Sequence, residues 1–491
     1  MIKKNTFWIV IIILAISQVF CSIMPAERPT GEEPTRAVKA PEDTRPPEPT
    51  GTSAPTDTPY PTETPALPTP TPIPSVTCNN GEAIWIGSQG FGLSCLDGQG
   101  WHTFTKENSP LPGDWINDLT VCPDGKTWVT SSSGISYTDG ANWVVLGYPL
   151  DYNSTNSIAC DSKGGVWAAH FKGVSYYDGQ GWTNYDPAKL GSSDKYNNVV
   201  DIAVGPDGKV WALLNNSILS YDGNTWSVFE RDKGFSEQFF FDQIIVDSKS
   251  QVFASYTSGL LTYDGKSWRK LEGRHLSQVK SMALDPQGRL WVGTFARGVS
   301  VFNGSGWVTY NTQNSKLSSD KIRSIAADGQ GRMWIGTWWG LNVFDGKDWA
   351  AYRMDNADIV DSDINALAAG GNGPSLPQLA KKENGSLSGK LNKGTDPAAG
   401  ITVEVCPETV GMLYSGASPC ADNPGHRTGV TDSAGEFLFS DLPSGRYSIS
   451  FKGQDGKWYY LTGAFGFVDK RVLVNPGETI EVGSIDITKK D

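Results

Sequence analysis

The stretch that decides the fold is residues 290–307, LWVGTFARGVSVFNGSGW. Two tryptophans, Trp291 and Trp307, stand sixteen positions apart around two glycine-centred turns. Asn303-Gly304 between alternating apolar residues is a strong hairpin signal. The unit recurs. Aligned on Trp307, the chain places Trp101, Trp143, Trp182, Trp226, Trp268 and Trp349 at spacings of 39 to 44. Four residues before each second tryptophan comes Asp-Gly or Asn-Gly, at Asp97, Asp139, Asp178, Asp222, Asp264, Asn303 and Asp345. The first tryptophan repeats 15 or 16 residues upstream of the second, as Trp85, Trp128, Trp167, Trp211, Trp291 and Trp334, with Phe253 in the fifth copy.

One copy divides into four short strands, as in 323–328, 333–337, 341–346 and 349–353. Four antiparallel strands repeated at this period describe the blades of a propeller. A blade cannot bury both faces alone, so it stacks on its neighbours, and a large flat aromatic at a fixed place fills the wedge between them. The repeated tryptophans are therefore expected to be inter-blade packing. The first copy lacks its first strand, while DINALAAGG at 363–371 is a first-strand pattern with nothing following it. Residues 363–369 are expected to complete the blade begun at Trp85, closing seven blades over 77–371 and removing exposed edges.

The totals agree with an all-β chain. Its 491 residues hold 18 Trp and 55 Gly against 6 Met, which suits short strands and tight turns. The formal net charge is -12 without a basic stripe, which argues against nucleic acid as a partner. At the N-terminus, Lys3 and Lys4 precede an apolar run over 7–20, the shape of a secretory signal and short for a membrane span. Export is expected over 1–21. The end of that segment admits three readings: lipidation at Cys21, plain cleavage, or an uncleaved anchor, with membrane contact only there. Residues 22–76 form a spacer in which 25–74 carries 15 of the 30 prolines with Thr interleaved, a composition that favours extended polyproline II.

The core W-[IV]-G-T-x-x-G-[LV], seen as MWIGTWWGL and LWVGTFARGV, resembles the two-component regulator propeller repeats of bacteria. The resemblance covers 77–371. It implies an extracytoplasmic propeller; this chain carries no kinase pattern after it, so sensing would run through a membrane sensor partner. After a linker at 372–383, a second all-β pattern fills 384–491. There, Thr431-Asp432, Gly435, Phe437, Phe439, Leu442-Pro443, Gly445 and Tyr447 resemble the carboxypeptidase regulatory-like, or prealbumin-like, domain. That likeness implies a non-catalytic β-sandwich appendage.

Seven cysteines in an exported chain invite pairing. Cys406 and Cys420 flank a loop that a bridge would staple. Cys78 with Cys95 is the preferred pair in the first blade, with Cys122 and Cys160 at places equivalent to Cys78. The spacing does not fit zinc, and no metal or other cofactor is expected.

Catalytic signatures are missing from the sequence. The four histidines, His102, His170, His275 and His426, lie in no metal or nucleophile motif. Lyases that act on streptogramin antibiotics share the fold class, but their histidine and glutamate set has no counterpart here. Binding is the better expectation, with a propeller enzyme, lyase or hydrolase, and a purely adhesive or scaffolding surface protein as the alternatives. Loops joining strands two and three are expected to be longer than the Asp-Gly turns and to surround one mouth of the channel. They would present Phe91, His170, Phe171, Lys172, Asn215, Asn216, Tyr256, Phe295, Arg297, Trp338 and Trp339 to a glycan, peptide or protein ligand. The chain is read as a monomer.

Overall fold

The computed structural model describes residues 77–491, except 148–154, 195–196, 232–233, 236–238, 274–275, 408–417, 419, 421–424, 454, 461–470 and 489–491. The signal segment, Cys21 and the spacer therefore lie outside the described residues, as does His275.

Among the described residues the strands up to Ala369 pair into seven sheets, antiparallel except where the two-residue strand Gly234–Phe235 adds in parallel to the fourth. The second blade is typical: Ile116–Val121 innermost, then Thr127–Ser131, Gly134–Thr138 and Trp143–Gly147. The innermost strands of blades three to seven are Thr155–Cys160, Val199–Val204, Phe241–Val246, Val279–Leu284 and Ile322–Ala327. Ile364–Ala369 is the innermost strand of the first blade, antiparallel to Ile84–Ser88 with Trp85 opposite Ala368. Each innermost strand lies against the next, and Ile364–Ala369 touches those of both blade seven and blade two. The ring is closed by a strand nearly three hundred residues from its partner, which leaves no open sheet at the seam.

Tryptophan packing follows the wedge argument. Trp85 meets Trp143 of the second blade edge-on at 6.2 Å, Trp211 meets Trp268 of the fifth at 5.9 Å, and Trp291 lies 5.8 Å from Phe344 of the seventh. Trp85, Trp291 and Trp334 are fully buried. In blades six and seven the wedge is also polar: Trp291 Nε1 donates to Asp285 at 2.9 Å and Trp334 Nε1 to Asp328 at 2.8 Å. Those aspartates also accept the backbone N–H groups of the turn between strands one and two, so one side chain sets a turn and pins an indole. The glycine of the W-x-G core answers to the same packing. A Cβ on Gly293 would stand 2.3 Å from Ile322 Cγ2, where the next blade begins.

The Asp-Gly turns cap themselves. Asp139, Asp222, Asp264 and Asp345 each accept two backbone N–H groups on Oδ1, which holds their carboxyls below the usual range. These aspartates are turn formers.

From Gly385 the chain forms two further sheets. One joins Gly385–Lys393 to Glu436–Leu442 and, in parallel, to Thr479–Asp486; the other joins Thr402–Cys406 to Arg427–Val430 and Gly445–Lys452. Leu387, Leu391, Val403, Val405, Phe437, Phe439, Tyr447 and Ile449 fill the space between them. Alternation puts Phe437 and Phe439 inward and Glu436 and Leu438 outward. This is a β-sandwich.

Disulfides join Cys78 to Cys95, Cys122 to Cys160 and Cys406 to Cys420, with Cα separations of 6.4, 5.5 and 5.8 Å. The first staples the opening residues to the closing blade. The second joins blades two and three.

Candidate functional site

One end of the ring gathers the turns between strands two and three together with the connections that enter each innermost strand. Backbone hydrogen bonds tie the two sets: Ser132 N to Trp115 O at 2.9 Å, Thr257 N to Phe240 O at 3.0 Å, Trp338 N to Lys321 O at 3.1 Å. Gln278 N donates in turn to Thr257 O, and Phe295 N to Gln278 O. The rim is thus stitched from blade to blade. The turns between strands two and three span only two to four residues, not the longer loops expected. The length variation lies in the connections between blades, because a tight turn is all a pleated hairpin needs.

A feature that sequence reading missed lies just inside this rim. Every innermost strand shifts register near its start, leaving one residue without a cross-strand partner. These bulged residues are Asn117, Asn156, Val200, Asp242, Lys280, Arg323 and Asn365. A bulge bends the strand and re-aims a side chain, and here it does so seven times around one axis. Along one arc the side chains bind the next blade: Asn117 Nδ2 donates to Thr155 O at 2.9 Å, Asn156 Nδ2 to Val199 O at 2.8 Å, Asn365 Nδ2 to Ile116 O at 2.7 Å. Along the other arc stand Asp242, Lys280 and Arg323. Burial raises the Asp242 carboxyl and the charge of Lys280 opposes the rise.

One residue deeper, the side chains stitch the blades again. Asp118 accepts from Ile158 N at 2.9 Å and Asp201 from Ile244 N at 2.7 Å. Ser157 of the third blade stands between the two carboxyls and opposes the rise of each. Burial pushes Asp118 up to about 6 and Asp201 up to about 7.

The structure divides the expected ligand residues. Phe171 and Lys172 are exposed in the turn of the third blade. Phe295 and Trp338 meet edge to face at 5.5 Å, with Lys321 Nζ 4.4 Å and Arg323 Cζ 4.7 Å from the Trp338 ring. Arg297 is exposed on the turn beside them. Asn215 gives its carbonyl to Phe241 N, and Asn216 N donates to Asp194 Oδ2, so both hold the rim together.

Four residues need correction. His170 ends a strand rather than a loop; it is 3% exposed, its Nε2 lies 2.7 Å from Ser175 Oγ, and burial lowers it to about 4. Tyr256 packs on Phe239 at 4.8 Å. Phe91 is gripped by two arginines of the sandwich, Arg446 at 3.7 Å and Arg471 at 4.6 Å from its ring. Trp339 lies under Arg353 at 5.4 Å and beside Gly425 of the sandwich.

That grip is the docking of the sandwich. Arg471 binds Asp361 through two bonds of 3.2 and 2.6 Å with both side chains buried, and Arg446 Nε donates to Val360 O at 3.4 Å. Burial lowers Arg446 to about 10. Asp361 lies in the connection between blades seven and one. Among the described residues, the sandwich therefore covers the mouth at Phe91, Trp339 and Asp361 and leaves open the arc that runs from blade two to the Trp338 edge of blade seven.

Every exposed Phe or Trp among the described residues stands on this open arc: Trp115 at 38%, Phe171 at 37% and Phe240 at 60%. Trp115 and Phe240 each immediately precede an innermost strand. A groove of about 620 Å³ lined by Tyr310, Phe344 and Trp349, and by residues 313–316 of the connection between them, opens between the outer strands of blades six and seven. No cluster of metal-ligating residues occurs among the described residues. His102, 3.0 Å from Asp97, and buried His170 lie in different blades.

Two of the repeats match the two-component regulator propeller. The matched segments are 275–296 and 316–339, the blades whose aspartates hold their tryptophans. The fold is similar to that of streptogramin B lyase, at 13% identity and a TM-score of 0.45 over 58% of this chain and 91% of that one. It is similar to virginiamycin B lyase from Staphylococcus aureus, at 15% identity and 0.44 over 52% and 92%. It is likewise similar to YCF48 in a structure with D1 peptide, at 15% identity and 0.41 over 54% and 91%. These likenesses concern the fold alone. No curated protein matches the chain.

Proposed function

We propose that this chain is an exported, cell-surface binding protein, without catalysis, that holds a glycan on the open arc of its propeller mouth. One observation carries the reading: the exposed Phe and Trp side chains all collect on that arc, above a ring of amides and charges fixed by bulges. Flat aromatic faces suit the C–H faces of sugar rings, and a rigid ring of donors and acceptors suits hydroxyls. Three disulfides fit an oxidising compartment outside the cytoplasm. The sandwich, read as a carboxypeptidase regulatory-like module, is the non-catalytic wall of the site, and a membrane sensor is the downstream partner if the protein signals.

The test is a glycan and peptide binding screen on purified residues 77–491. Glycan hits that Trp338→Ala and Phe240→Ala abolish support the reading. Turnover of a ligand, or peptide hits alone, would replace it with an enzyme or a peptide receptor.

A further inference from the structure

We infer that the glycan of the proposed reading, on which this inference rests, is read by Asp242 through a pair of adjacent neutral hydroxyls. Asp242 is the bulged residue of blade five, unpaired between Phe241 and Gln243, so the register fixes its place at the mouth. At the same position Asn117, Asn156 and Asn365 each donate an amide N–H to the first residue of the next innermost strand, at Thr155 O, Val199 O and Ile116 O. The counterpart for Asp242 is Val279, which opens the strand Val279–Leu284 of blade six. An ionised carboxyl has no donor to give it. Blade five therefore forgoes the stitch that these three asparagines make.

Asp242 is half-buried, and among the described residues no hydrogen bond reaches its carboxyl oxygens. Burial withdraws water from them and supplies no donor, which leaves the donors to come from whatever enters the mouth. Lys280 of the next blade is exposed and its charge acts on the carboxyl, which disfavours a free cation or a basic peptide at the same place. Neutral hydroxyls meet no such repulsion. Two carboxylate oxygens side by side accept from two adjacent hydroxyls, each bond assisted by the charge. Phe240, two residues earlier and 60% exposed, supplies the flat face on which that sugar stacks. The platform is fixed, because Phe240 O accepts from Thr257 N at 3.0 Å and from Thr257 Oγ1 at 3.3 Å.

The experiment titrates the full chain with cello-, manno- and xylohexaose and with the same oligomers after O-methylation, which keeps the rings and removes the hydroxyl donors. A native oligomer is expected to bind about tenfold more tightly than its O-methylated form, or better, a margin of one charge-assisted bond. Asp242→Asn should erase most of that margin. The same variant should melt about 2 °C higher, since its amide gains the bond to Val279 O that Asn117, Asn156 and Asn365 make to their own neighbours. Affinity lost while stability is gained separates a carboxyl kept for ligand from one that holds the fold. Equal affinity for native and O-methylated oligomers overturns the inference, as does an Asp242→Asn variant that binds as tightly as wild type or melts lower. So does calcium chloride alone raising the melting temperature of wild type and not of the variant, which assigns the carboxyl to a cation. Glycan hits that need Phe240 and ignore Asp242 sink the inference and leave the proposed reading standing. Absence of any glycan binding sinks both.

Discussion

The two arcs of the propeller mouth are built from the same turns and used differently. Phe91 and Trp339 on blades one and seven are covered by the sandwich, whereas Phe171, Phe295 and Trp338 on blades three, six and seven border the open side. An aromatic in a tight rim turn is thus a docking anchor where the sandwich lies above it, and on the proposed reading a ligand platform where it does not. The buried Arg471–Asp361 pair decides which, because two desolvated charges hold the sandwich only if both are present.

The sharpest way to break the contrast is to remove one charge. Arg471→Ala leaves buried Asp361 without its ion-pair partner and should cost about 3–5 kcal/mol of the docked state. Protease cleavage within 372–383 should then become fast, while the paired variant with Asp361→Asn loses less. Cleavage as slow as in wild type would mean that other contacts hold the sandwich. Next in size is the contrast of packing with platform. Trp291→Ala should lower stability by about 3–5 kcal/mol in thermal denaturation, whereas Trp338→Ala, at the rim, should cost about 1 kcal/mol and instead weaken glycan binding about tenfold or more. Phe240→Ala should weaken binding severalfold, and Phe91→Ala should leave affinity for the glycan unchanged.

The smallest effect concerns pH. Asp118 and Asp201 have folded values above the unfolded one, so their contribution is fully present below about pH 4 and is lost as pH rises through about 6 and 7. His170 acts in the opposite direction, losing stability as pH falls from 6.5 towards about 4. The melting temperature of wild type should fall by a few degrees between pH 5 and 8, and Asp118→Asn with Asp201→Asn should flatten that slope. An unchanged slope would show that these carboxyls are ionised throughout.

Much of the fold was legible because its signals are local. Asp-Gly turns, paired tryptophans and a spare first strand each sit within a few residues, so the all-β propeller and its closing strand could be read directly. The site was less legible. A bulge is a property of pairing, two residues facing one, and nothing in INDLTV or IRSIAA announces that Asn117 or Arg323 is the extra one. The covered arc was hidden for another reason: Arg446 and Arg471 stand 86 and 110 residues from the groups they bind, and no periodicity reports that distance. His170 was misplaced by a single residue, since counting from Trp167 does not say where the strand ends. Phe295 and Trp338 could be placed at the mouth from spacing, but their shared cations Lys321 and Arg323 belong to the strand that follows the connection.

The central claim is that ligand sits on the open arc and nowhere else on the ring. Hydroxyl-radical footprinting of residues 77–491, with and without a bound glycan, tests it directly. The account predicts protection of Trp115, Phe171, Phe240 and Trp338, with Phe91 and Trp339 unchanged. Protection confined to the sandwich or to the opposite end, around Tyr137, Tyr177 and Tyr221, would contradict it.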